Sequence, residues 1–73
     1  MQAVQATLAG TVFKVLVQAG DRIQAGQEVV RLESMKMEIP IESDVAGRVV
    51  EVLAAEGAFV NEGDPLVMVE PGA

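Results

Sequence analysis

Apolar residues come in short runs along the chain, broken by glycine-centred polar clusters. The runs are rich in valine and isoleucine, whose branched side chains suit strands better than helices. They predict four strands near residues 2–6, 11–18, 22–24 and 28–33, and four more near 38–43, 48–55, 59–61 and 65–70. Gly20-Asp21, Ala25-Gly26, Gly57-Ala58 and Glu62-Gly63-Asp64-Pro65 mark the turns between them. In the two long strands Phe13, Val15 and Val17 alternate, as do Val50, Val52 and Ala54, and these are expected to point inward. Val12, Leu16, Val49 and Leu53 are apolar on the other parity, so alternation alone does not settle the facing.

The two sets of strands are copies. Residues 9–33 lie over residues 46–70 at a constant offset of 37, without a gap, and nine of the 25 positions are identical. The identities include three glycine pairs, Gly10/Gly47, Gly20/Gly57 and Gly26/Gly63, which are expected to mark structural turns. Ile23 and Val60 sit between the paired glycines and are expected to plug the core. A half of about 36 residues cannot bury its apolar face alone. The halves, about 1–36 and 38–73, should therefore form one domain over residues 1–73. The expected fold is all-β: a small sandwich or flattened barrel of short antiparallel strands with internal quasi-twofold symmetry.

Composition narrows the chemistry. Hydrophobic residues are 51% and aromatics only 3%, so the core is expected to be aliphatic. Lys+Arg is 5 against Asp+Glu 11, a net charge of −6. That balance argues against a nucleic-acid surface and against an anionic membrane. No run approaches the length of a membrane span and the N-terminus lacks a secretory pattern, so a cytoplasmic protein is expected. With no Cys and no His, disulfides, thiolate metal sites and the commonest general base are all absent. Scattered carboxylates offer only weak metal binding, and no serine or threonine has a base to activate it. No metal site and no catalytic residue is expected, which leaves a non-catalytic protein.

One segment breaks local rules. By the symmetry, residues 34–37 must turn the chain between the halves, yet they read Ser34-Met35-Lys36-Met37. A tight hairpin turn prefers Asn-Gly, Asp-Gly or Gly-X. Such a misfit marks a functional or strained place. A bland alternative has Met35 and Met37 covering the barrel end and Lys36 as a plain surface charge. Of the two lysines, Lys14 is mid-strand opposite Glu51 in the repeat and looks like a solvent-face residue. Lys36 has no counterpart lysine, and its flexible stem suits covalent attachment of a group. A lysine amine must lose its proton to act as a nucleophile, and nothing nearby is an obvious base, so a modifying enzyme would supply one.

The stretch Glu33-Ser34-Met35-Lys36-Met37-Glu38 resembles the attachment site of biotinyl carrier domains, where a lysine between two methionines is biotinylated. Gly20-Asp21-x-Ile23-x-x-Gly26-Gln27 is similar to the hammerhead segment shared by biotinyl and lipoyl domains. The resemblance runs from about residue 3 to 70 and is closest to small stand-alone biotin/lipoyl attachment proteins. It implies a division of the strands into two four-stranded antiparallel sheets. It implies covalent biotin on Lys36, with Met35 and Met37 read by biotin protein ligase and lying beside the ring. Glu33, Ser34 and Glu38 would be the flanking residues of the recognised stretch. It also implies a swinging arm that shuttles a carboxyl group from biotin carboxylase to carboxyltransferase. Ser34 stands where many biotin carriers have Ala, and Glu33-Ser34 also resembles the approach to the lysine in lipoyl domains. Lipoate therefore stays an alternative cofactor, and an unmodified interaction module a third reading. The gapless repeat leaves no room for the thumb insertion of some carriers. No linker-like stretch precedes residue 3, which fits a free-standing protein or a trimmed domain, and Pro71-Gly72-Ala73 reads as a short mobile tail.

Overall fold

Eight strands form near the apolar runs, but the two long ones, expected over 11–18 and 48–55, end three residues early, at Val15 and Val52. The computed structural model describes residues 1–72. Its strands are β1 (Gln2–Gln5), β2 (Gly10–Val15), β3 (Arg22–Ile23), β4 (Glu28–Ser34), β5 (Met37–Glu42), β6 (Gly47–Val52), β7 (Phe59–Val60) and β8 (Pro65–Pro71), with no helix among the described residues. They make two four-stranded sheets of order β1-β8-β6-β3 and β5-β4-β2-β7. Every pairing is antiparallel.

Advancing each label by four converts one sheet order into the other, so the sequence repeat is a structural one. Each sheet takes two strands from each half. The link extends beyond the ladders. Gly20 N–H donates to Val49 C=O and Val49 N–H to Asp21 C=O, both at 2.8 Å. The mirror pair, Gly57 N–H to Val12 C=O and Val12 N–H to Ala58 C=O, has the same lengths.

The turns explain four of the glycines. In Gln18–Asp21, Asp21 N–H donates to Gln18 C=O at 3.1 Å, and Gly20 in third place has φ 97°. A type II turn requires positive φ there, which a Cβ opposes. Gly26, Gly57 and Gly63 hold the same place in equivalent turns. The Asp21 carboxylate also accepts from Gln18 N–H at 2.9 Å, as Asp64 does from Asn61 N–H at 2.8 Å.

Gly10 and Gly47 are not turn residues. They open β2 and β6, are buried, and are required by close approach. A Cβ on Gly10 would stand 2.8 Å from the Glu33 carbonyl oxygen, and one on Gly47 would collide with the Glu70 carbonyl oxygen.

The expected facing of the long strands is half right. Val12 pairs with Leu32 and Lys14 with Arg31, leaving Phe13 as an extra residue in a β-bulge. Val50 is the extra residue of the matching bulge, between Val49/Val69 and Glu51/Met68. A bulge shifts parity by one residue. Val12 and Val49 therefore point inward at 1% exposure, while Phe13 and Val50 point out. Beyond the bulge Val15, Val17, Val52 and Ala54 pack inward as expected. The apolar core is aliphatic, with Ile23 and Val60 buried in it as predicted and Ser43 the buried polar residue among those described.

Pro71 is not in a mobile tail. It ends β8 opposite Gly47, and Gly72 N–H donates to Ala46 C=O at 3.2 Å. Ala73, the symmetry mate of Lys36, lies outside the described residues.

Candidate functional site: the hairpin at Lys36

The β4–β5 ladder runs Leu32 opposite Ile39, Glu33 opposite Glu38 and Ser34 opposite Met37. Met35 and Lys36 alone make the loop, with φ 52° and 65°. Two positive φ values are the signature of a type I′ turn, whose twist matches that of the flanking strands. The strands thus impose the geometry that Asn-Gly would adopt freely. Holding an L side chain left-handed costs roughly 1–2 kcal/mol per residue. Strain of this kind persists where the surroundings over-determine it and collects at functional sites.

Lys36 is exposed at the tip, and among the described residues no carboxylate pairs with it. Met35 is 90% exposed and Met37 61%. The methionines therefore do not cover the barrel end; they flank the amine in solvent. Ser34 is half-buried beside Gly10, where a Cβ on the glycine would lie 3.5 Å from the serine Cβ.

Leu32 and Ile39 face the core, so Glu33 and Glu38 project outward from opposite strands. Like charges so placed repel. Arg31 relieves part of this, reaching Glu38 Oε1 through Nη1 at 3.2 Å. Its Nε and Nη2 grip the Glu28 carboxylate at 2.9 and 3.1 Å. The hydrogen bonds from Arg31 hold the Glu28 carboxyl below the usual carboxylate range, against the opposing effect of partial burial. The Arg31 guanidinium is held above its ordinary range by the same bonds.

All six residues of the predicted stretch, Glu33 to Glu38, meet on this one hairpin. Arg31 is an addition. Its approach to Glu38 follows from the register that a two-residue loop imposes, a signal present in the chain once that loop is placed. Among the described residues no cluster of three acidic side chains could hold a metal. Two open hollows of the surface lie elsewhere, one lined by Arg22, Arg48 and Glu70, another by Thr7, Glu42 and Asp44. What the hairpin offers chemically is a reachable primary amine on a fixed base.

Comparison with known proteins shows the family and the fold. The biotin/lipoyl family model, described as "Biotin-requiring enzyme", matches residues 2–69. The chain is 62% identical over 60 residues to the biotin/lipoyl attachment protein of Bacillus subtilis, covering 82% of each. It is 44% identical over 57 residues to the biotin carboxyl carrier protein of acetyl-CoA carboxylase from a Nostoc species, covering 78% of this chain and 31% of that one. Among solved structures it is similar to the Kluyveromyces lactis urea carboxylase, with TM-score 0.88 and 26% identity, over 94% of this chain and 6% of the carboxylase.

Proposed function

The chain belongs to the biotin/lipoyl attachment family, and from that premise we propose that it is a biotin carboxyl carrier loaded on Lys36. Relatives named as a carboxyl carrier and a carboxylase support the carrier role in biotin-dependent carboxylation. The observation that carries the residue assignment is the exposed Lys36 amine on a strained two-residue tip, between two exposed methionines.

Loading joins Lys36 Nζ to the carboxyl carbon of biotin as an amide. The amine gives up a proton to the ligase, and the group with which the ligase activated the carboxyl departs. Biotin, once attached, supplies a ring nitrogen that can hold a carboxyl group between a biotin carboxylase and a carboxyltransferase. The protein's own contribution is mechanical. The β4–β5 ladder fixes the direction of the lysine stem, so little order is lost when an enzyme takes it. The tether keeps a scarce reactive group at high effective concentration near each partner. The chain itself catalyses nothing in this scheme.

The test is intact mass after co-expression with biotin protein ligase. The wild type should gain one biotinyl group and Lys36→Arg none. No gain on the wild type, or an undiminished gain on the variant, would refute the proposal. A second reading, lipoate on the same lysine, is favoured by the name of the Bacillus relative. Supplying lipoate and a lipoate ligase in the same assay separates the two.

A further inference from the structure

Both aromatic residues of the chain lie outside its core. Phe13 is 47% exposed and Phe59 66%, although buried apolar space is filled throughout by aliphatic side chains. Both stand on the outer face of the sheet that carries Lys36. Phe59 pairs with Thr11, Thr11 with Glu33 and Glu33 with Glu38, one row across four strands. Phe13 projects from the bulge of the strand next to Phe59. With strands about 4.8 Å apart and residues about 3.3 Å apart along them, Phe59 lies within roughly 15 Å of the Lys36 backbone.

The fold does not ask for these aromatics. The symmetry mates of Phe13 and Phe59 are Val50 and Arg22, at the same places on the other sheet, and both are exposed. The aromatic pair is thus confined to one of two equivalent faces. Exposed aromatic anchors carry a large share of the energy of protein interfaces. Around them stand Glu33 and Glu38, in the same row, and Glu56, whose carboxylate accepts from Val15 N–H at 3.1 Å; with Glu28 they outnumber the cations of this face, Lys14 and Arg31, and leave it net acidic.

We infer that the Phe13–Phe59 flank docks the biotin carboxylase that acts on the loaded arm, through an apolar cleft rimmed by Lys and Arg. This rests on the carrier reading above. Charge complementarity with the acidic rim selects a basic partner face. Reach selects the occupant. An enzyme acting on the free amine must bring its active site within one lysine side chain of the tip. One acting on the far end of the loaded arm works at longer range and can grip the flank. A second copy of this chain would bring the same acidic rim and a net charge of −6 against itself.

The experiment compares biotinylated wild type with Phe13→Thr/Phe59→Thr. The first readout is carrier KM and kcat in ATP- and bicarbonate-dependent carboxylation by a biotin carboxylase, with free biotin as the control substrate. The second is the rate of loading by biotin protein ligase. The double variant should raise KM about tenfold, with kcat and the ligase rate within twofold of wild type. Arg22→Thr/Val50→Thr, at the equivalent places on the other sheet, should leave KM unchanged. The inference is overturned by an unmoved KM, by an equal loss in the ligase step, by an equal effect of the control pair, or by self-association that the Phe variants abolish in sedimentation. If the wild type accepts no biotin, the carrier reading falls and this inference with it. Biotinylated wild type with an unmoved KM overturns the docking flank alone.

Discussion

Glu33 and Glu38 face each other across the hairpin ladder, and Arg31 holds only Glu38. Because Arg31 also grips Glu28, one guanidinium ties the start of β4 to the first turn of β5. The Met35-Lys36 loop therefore stands on a ladder braced on its outer face by charge and on its inner face by Leu32 and Ile39.

That brace sets a dependence on acidity. A carboxyl depressed in the folded state contributes stability that is present above its unfolded value and lost as pH falls through its folded one. For Glu28 the contribution is complete at neutral pH and disappears below the ordinary range of a glutamate. Arg31 stays charged throughout and adds no slope there. Glu28→Gln should lower stability at pH 7 and flatten the acid limb, as read by chemical denaturation from pH 7 to 3. An acid limb as steep as that of the wild type would show that the pair is not its source.

The strained tip makes a second prediction. Asn tolerates left-handed backbone, so Met35→Asn should stabilise the fold by about 1 kcal/mol. In a chain of this size that raises Tm by roughly 4–8 °C. Thermal unfolding followed by circular dichroism checks it. On the carrier reading the same variant is a poorer substrate for biotin protein ligase, so stability and loading should move in opposite directions.

Close backbone approach makes a third. Gly47→Ala should cost about 3 kcal/mol and Gly10→Ala about half as much, because the Glu70 carbonyl is nearer than that of Glu33. Denaturant midpoints rank them. The reverse order would mean that the two ends of the barrel relax differently.

Burial separates a fourth pair. Leu32→Ala removes a side chain that is fully enclosed and should cost about 3 kcal/mol. Phe13→Thr, on the outer face, should change stability by less than about 0.5 kcal/mol. The same urea titration measures both.

The repeat made most of the fold legible. Its constant offset predicted two equivalent halves and a hairpin at 34–37, the apolar runs predicted eight strands, and the family resemblance supplied the two sheets; these agree with the structure. The bulges at Phe13 and Val50 were not legible, because a one-residue insertion reverses facing without leaving a gap in a run of apolar residues. Gly10 and Gly47 were misread as turns because close approach and positive φ both select glycine. The stretch around Lys36 stood out because it violates turn chemistry, while Arg31 needed the register before its reach to Glu38 could be seen.

Interleaving the two halves has a consequence for cooperativity. No sheet belongs to either copy, so melting one copy leaves no intact layer behind. Such a molecule should unfold in a single transition, and the ladder beneath Lys36 should stay firm up to the temperature at which the whole chain gives way.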